Sequence, residues 1–161
     1  MNTYICIYNC CSYMNVEAVI KTKKEIPLTS RTLIHLMLVN NKVVETITNA
    51  LKPFEVSLQQ FNVLRILRGQ GDQPANLSTL NERMVTKMSN TTRLVDKLLL
   101  KGMVDRSVCA ANRRKVEITI TKKGLALLRE MDEVMKQTED SLVSALNEKE
   151  LIQLNTLLDK F

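Results

Sequence analysis

The spacing of apolar residues changes abruptly near Gly102, and that change most narrows the choice of fold. Before it, Met88, Thr91, Leu94, Val95 and Leu98 recur every three or four positions, the stripe that a helix buries on one face. After it, Val116, Ile118 and Ile120 alternate with Glu117, Thr119 and Thr121, the period of a strand with one buried face. Gly102 is placed to end the helix in a left-handed turn. Met103 to Val108 is the natural partner strand, and Cys109-Ala110-Ala111-Asn112-Arg113-Arg114 would form a hairpin tip with two adjacent arginines.

Helical spacing dominates elsewhere. Leu33, Leu36, Met37, Val44, Ile47 and Leu51 predict a long first helix from about Thr29 to Leu51, closed by Pro53, which lacks an amide donor and restricts its predecessor. Ser57 and Gln60 have the spacing of a capping box ahead of Leu58, Phe61, Leu64 and Leu67, a helix that runs to Gly69 and Gly71. Ser78 or Asn76 can cap a short helix carrying Leu80 and Met84, with a break near Val85 and Thr86. A new helix is expected from about Lys87, with Lys87, Ser89, Asn90, Arg93 and Lys97 on its outer face. Beyond Gly124, Leu127, Leu128, Met131, Val134, Met135, Leu142 and Leu146 trace a further long helix, and Asn147 with Glu150 opens the last one.

With 161 residues, 45% of them apolar and 25% charged, the chain is the length of one domain and has the composition of a folded one. Only 4 Gly, 3 Pro and 4% aromatics favour helices over a many-turned β sandwich. The expected class is mainly α with a small β-hairpin. No apolar run approaches a membrane span and no secretory leader is evident, so a cytoplasmic protein without a membrane partner is expected. Cys6, Cys10 and Cys11 crowd the N-terminus and Cys109 stands apart, which matches neither a disulfide framework nor a paired zinc motif.

Charge is concentrated along the chain. Residues 65–124 hold 13 basic and 5 acidic side chains, a net +8, whereas residues 125–161 hold 4 and 8, a net −4. A basic segment of this kind suits a polyanion. Two short helices at a tight bend followed by a hairpin form the layout of a winged helix-turn-helix, whose second short helix enters the DNA major groove. The basic segment coincides with it. On that reading Lys87, Ser89, Asn90, Thr92, Arg93 and Lys97 on the helix and Arg113 and Arg114 on the wing are the DNA-contacting residues.

From about Leu58 to Leu127 the chain resembles the DNA-binding lobe of the MarR family of bacterial transcriptional regulators. The matching stretches are Thr91-Thr92-Arg93-Leu94-Val95-Asp96-Lys97-Leu98, Lys101-Gly102-Met103-Val104-Asp105-Arg106, Asn112-Arg113-Arg114 and Ile118-Thr119-Ile120-Thr121-Lys122-Lys123-Gly124. Asn112 departs from the pattern, standing where the family's wing usually carries an aspartate that pairs with the key arginine, here Arg114. The resemblance implies a homodimer joined through its N- and C-terminal helices, a repressor of a pseudopalindromic operator, and a small apolar or aromatic effector held between the dimer helices and the DNA lobe. It divides the chain into an arm over 1–27 expected to be poorly ordered, a dimerisation helix and connection over 28–56, the winged lobe over 57–124 and dimerisation helices over 125–161. Met1 to Tyr13 lacks a counterpart in the pattern, and Met14 could serve as an alternative start.

Rival readings make different demands on the sequence. A lone His35, no GxxxxGK phosphate loop and no recognisable nucleophile motif argue against an enzyme, a metal site or a cofactor. His35 reads better as a packed or interface residue. A winged-helix protein-interaction module should have lost the basic groove face, which Lys87, Arg93, Lys97 and Arg114 retain. A thiol-redox regulator would use Cys109, near Arg106, Arg113 and Arg114, or the N-terminal cysteines. The family's peroxide sensors place theirs near the start of the first helix, where this chain has none. Lys122 and Lys123 at the positive end of a helix suggest a neighbouring phosphate.

Overall fold

The computed structural model describes residues 14–71, 73–85, 90–109 and 112–161, with the side chains of 109 and 112–115 outside the description. The elements in order are α1 (Val16–Val19), α2 (Leu28–Leu51), a 3-10 turn (Lys52–Phe54), α3 (Leu58–Gly69), α4 (Leu77–Arg83), α5 (Thr91–Leu100), β1 (Val104–Cys109), β2 (Asn112–Ile120), α6 (Lys122–Val143) and α7 (Glu148–Leu158). The chain divides into two compact units, one of residues 1–44 with 140–161 and the other of residues 45–139. Among the described residues no helix is long and apolar enough to cross a membrane.

The unit of residues 45–139 carries the core. Phe61, Leu64 and Leu67 from α3, Leu80 from α4, Leu94, Val95 and Leu98 from α5, Val104 and Ile118 from the hairpin, and Leu128 and Met131 from α6 are all buried. Local signals in the sequence set the helix ends. Ser57 Oγ accepts from Gln60 N at 3.2 Å while Gln60 Oε1 accepts from Ser57 N at 3.0 Å, the expected capping box. Asn76, rather than Ser78, caps α4, its Oδ1 accepting from Thr79 N at 3.0 Å. At the end of α5, Gly102 takes a φ of 66°; its amide donates to Leu99 O at 2.9 Å and that of Met103 to Leu98 O at 3.0 Å, a Schellman pair that closes the helix. Pro53 lies in the 3-10 turn just past α2, as its missing donor requires.

The wing is a two-stranded antiparallel hairpin with Val104 opposite Ile120, Arg106 opposite Ile118 and Val108 opposite Val116. Its strands run further than the spacing suggested. Asn112 already pairs with Cys109, so Arg113 and Arg114 are positions of β2 and not of a six-residue tip. Only positions 110 and 111 separate the strands, and they lie outside the described residues. The difference is physical: residues 112–115 contain neither Gly nor Pro, so nothing stops the ladder from continuing. The hairpin also gains a third segment. Ala75 exchanges both backbone bonds with Ile118, at 3.0 and 2.8 Å, and so pins the start of α4 to the wing.

Gly124 explains the end of the hairpin. A Cβ built there would lie 2.1 Å from the carbonyl oxygen of Met103 and 2.9 Å from Ile120 Cγ1, so only glycine lets α6 start this close to the loop after α5. Thr121 completes the junction: its hydroxyl accepts from Gly124 N at 2.9 Å and donates to Gly102 O at 2.8 Å.

In the unit of residues 1–44 and 140–161, the stretch expected to be a poorly ordered arm contains α1. Asn15 Oδ1 caps it by accepting from Ala18 N at 2.8 Å, Val16 is fully buried, and Glu17 pairs with Arg31 of α2 at 2.7 Å. The bond from Arg31 holds the Glu17 carboxyl below its usual range. Met1 to Tyr13, with Cys6, Cys10 and Cys11, lies outside the described residues. The capping box at Asn147 and Glu150 forms as expected, with bonds of 2.8 and 3.1 Å. Yet α7 buries none of its side chains, and Leu33 and Met37 on α2 are also largely exposed.

Candidate nucleic-acid interface

The interface is built on α5. Its buried stripe of Thr91, Leu94, Val95 and Leu98 seats it on the core, and the other face is left to solvent. Thr91 Oγ1 donates to Asn81 Oδ1 and so ties α5 to α4. Thr92, Arg93 and Lys97 are exposed on the open face. Among the described residues, no carboxylate lies within ion-pair reach of Arg93 or Lys97. The acid on that face, Asp96, accepts from Arg106 Nη1 of β1 at 3.1 Å. The pleat places Arg106 on the same side of the hairpin as Val104 and Ile118, so its stem follows apolar surface while its guanidinium reaches α5. The effect is to cancel the only negative charge within α5 and to leave its cations free.

Not every expected residue is placed this way. Asn90 is the N-cap of α5 and makes no side-chain capping bond, so it precedes the helical face rather than belonging to it. Lys87, Met88 and Ser89 lie outside the described residues. Arg113 and Arg114 are fixed in the β2 backbone, with their side chains outside the description, as is that of Cys109. His35, on α2, is half-buried.

Lys123 corrects a sequence expectation. Its ammonium donates to Lys101 O at 2.8 Å, at the carboxyl end of α5, so the negative end of one helix offsets the unfavourable position at the start of another without a phosphate. Lys101 in turn donates to Glu55 O at 2.6 Å and pairs with its carboxylate at 3.3 Å. Both lysines therefore have structural work. Arg106 was missed as part of the interface; its two-residue spacing from Val104 could have revealed it, since alternation puts both on the face that meets α5.

Comparison with known proteins agrees with this geometry. Residues 56–116 match the model of the MarR family. A repressor from Pseudomonas putida, "HTH-type transcriptional repressor IacR", is 24% identical over 121 residues, 75% of this chain and 71% of the relative. A mutant MarR from E. coli, solved in complex with operator DNA, is 25% identical with a TM-score of 0.71 over 83% of this chain and 93% of that one. BpsR from Bordetella bronchiseptica, whose DNA binding is regulated by 6-hydroxynicotinic acid, shares the fold at 24% identity and a TM-score of 0.74, covering 85% of this chain and 96% of that one. With its basic α5, its short wing and these likenesses together, residues 56–116 form a MarR-family domain, and the chain is similar to winged helix-turn-helix transcriptional regulators of that family.

Proposed function

We propose that the protein is a homodimeric repressor that reads a pseudopalindromic operator with α5 and is adjusted by a small effector. The observation that carries this reading is the charge pattern of α5, where Arg93 and Lys97 have no acidic partner among the described residues and Asp96 is neutralised by Arg106. Arg93 and Thr92 are assigned to base edges; Lys97, Arg113 and Arg114, with Lys87, Ser89 and Asn90, are assigned to the phosphate backbone or groove walls. A protein that binds the genome works in the cytoplasm of a bacterial cell. The operator complex of the E. coli relative and the effector control of BpsR support the reading by analogy.

Dimerisation is supported by the apolar residues that α2 and α7 leave uncovered. Leu33, Met37, Leu154 and Leu157 are each exposed by 41% or more, an arrangement expected of a surface that a second copy covers. Two-fold symmetry then sets the two α5 helices about one turn of DNA apart. The test is selection of bound fragments from the source genome, with light scattering on the free protein. Palindromic fragments and a dimer mass are expected; a monomer that binds no duplex even at low salt would instead make the fold a protein-interaction module.

A further inference from the structure

We propose that Lys101 is a positioning residue for DNA recognition, anchoring the last turn of α5 to the turn that leads into α3 without itself meeting DNA. Lys101 caps the carboxyl end of α5, directly before Gly102. Its ammonium donates to the carbonyl oxygen of Glu55 at 2.6 Å and meets the carboxylate of the same residue at 3.3 Å. Its own carbonyl accepts from the Lys123 ammonium, at the start of α6, at 2.8 Å. Three segments distant in sequence therefore meet at one residue, where the reading helix passes into the wing.

The acceptor has an uncommon backbone. Glu55 takes φ 53° and ψ 30°, the left-handed region that side chains other than glycine enter at a cost, and such a backbone persists where its surroundings hold it. An ammonium on its carbonyl is such a hold. The carboxylate matters less, because it is 83% exposed and an ion pair there contributes little, whereas the Lys101 side chain is only 29% exposed. The charge-assisted bond to the carbonyl is the part that anchors α5.

A cation beside the reading face invites a simpler interpretation, one more phosphate contact, but the ammonium is already engaged within the protein. What it supplies is direction. The stripe of Leu94, Val95 and Leu98 decides which face of α5 is buried, yet apolar contacts are non-directional and resist a small roll of the helix weakly. An arginine tip roughly 8 Å from the axis moves by about 1.4 Å for a roll of about 10°, more than a two-bond contact with a base edge tolerates. Polar ties resist the roll: Thr91 to Asn81 at the first turn, Asp96 to Arg106 in the middle, and Lys101 to Glu55 at the last. The effect on DNA rests on the function proposed above; the anchoring of α5 does not.

The experiment compares the full chain with Lys101→Met, which keeps a long apolar stem and drops the charge, with Lys101→Arg, which can still donate to the carbonyl, and with Glu55→Gln, which keeps that carbonyl. Without DNA, amide proton and nitrogen shifts are read along α5. Lys101→Met should move the resonances of Thr92, Arg93 and Lys97, and the other two variants should leave them near wild type. Changes confined to residues 52–57 and 99–103 overturn the anchoring. With DNA, affinities for an operator fragment selected from the source genome and for its scrambled duplex are measured across a salt series, well below the melting temperature of each variant. Lys101→Met should lower the operator-to-scrambled ratio about fivefold or more, the lower end of what one bidentate base contact contributes, with the salt slope unchanged. Lys101→Arg should restore the ratio. A loss of stability alone would not move it. An unchanged ratio in Lys101→Met overturns the effect on DNA, and a slope flatter by about one phosphate contact makes Lys101 a phosphate ligand and overturns the proposal. If Lys101→Met does not fold, Lys101→Gln carries both readings. A wild type that prefers no sequence counts against the repressor reading alone, while the amide shifts still decide the anchoring.

Discussion

Arg106 donates to Asp96 at 3.1 Å, and through that bond the first strand of the wing is tied to the helix proposed to read the major groove. Both side chains are substantially exposed, at 37% and 51%, so the pair contributes little to stability, under about 1 kcal/mol. Its larger consequence is for charge. Asp96→Asn should leave the melting temperature nearly unchanged, raise affinity for random duplex, and steepen the salt dependence by about one phosphate contact as Arg106 is released. Salt titrations of wild type and variant against scrambled DNA provide the check. A weaker-binding Asp96→Asn would show that the tie itself, and not the charge it cancels, matters for DNA.

Gly124 and Gly69 offer the same substitution with opposite outcomes. At Gly124 a methyl would meet the Met103 carbonyl oxygen and Ile120, atoms that move only if the junction of α6 with the wing shifts, so Gly124→Ala should cost about 3 kcal/mol. Gly69 ends α3 in open space, and Gly69→Ala should stabilise by roughly 0.5–1 kcal/mol through helix propensity alone. Urea unfolding of the two variants separates them. Equal shifts would mean that the close approach at Gly124 is relieved by a small local adjustment.

These residues also mark how far the sequence could be read. Elements whose cause is local were legible: the Ser57 and Asn147 caps, the Gly102 stop and the α5 stripe all depend on neighbours within a few positions. What depended on distant chain was not. Ala75 carries no sign that it will pair with Ile118, and the reach of Lys123 to Lys101 O crosses the hairpin. The extent of β2 was misjudged because Arg113 and Arg114 resemble loop residues by charge, whereas strand length is set by the pairing of Cys109 with Asn112.

The link between α1 and α2 predicts a pH dependence. The bond from Arg31 holds the Glu17 carboxyl below its ordinary value, so the folded form favours the ionised group more than the unfolded chain does. The contribution is therefore fully present above the ordinary carboxylate range and is lost as pH falls through the lowered value. In Arg31→Ala the Glu17 carboxyl should titrate higher, nearer its ordinary range, and amide exchange across Val16–Val19 should become faster at neutral pH. Carboxyl carbon shifts followed through an acid titration give the answer. An unchanged titration in the variant would assign the lowering to the helix backbone instead of Arg31.

Arg93 and Arg114 should fail in different ways when removed. Arg93 stands on the exposed face of α5, where a guanidinium can meet a guanine edge with two bonds, a contact worth roughly 1–3 kcal/mol of discrimination. Arg114 belongs to β2, in the wing, where a cation acts on the minor groove or the backbone through charge and counterion release. Arg93→Ala should therefore narrow the gap between operator and scrambled duplex, with little change in the salt slope beyond the loss of its own charge. Arg114→Ala should lower both affinities together and flatten the slope by about one contact. Operator and scrambled sequences titrated across a salt series with each variant decide it. An intact specificity ratio in Arg93→Ala would move base reading to another residue of α5, and an unaltered slope in Arg114→Ala would remove the second wing arginine from the interface.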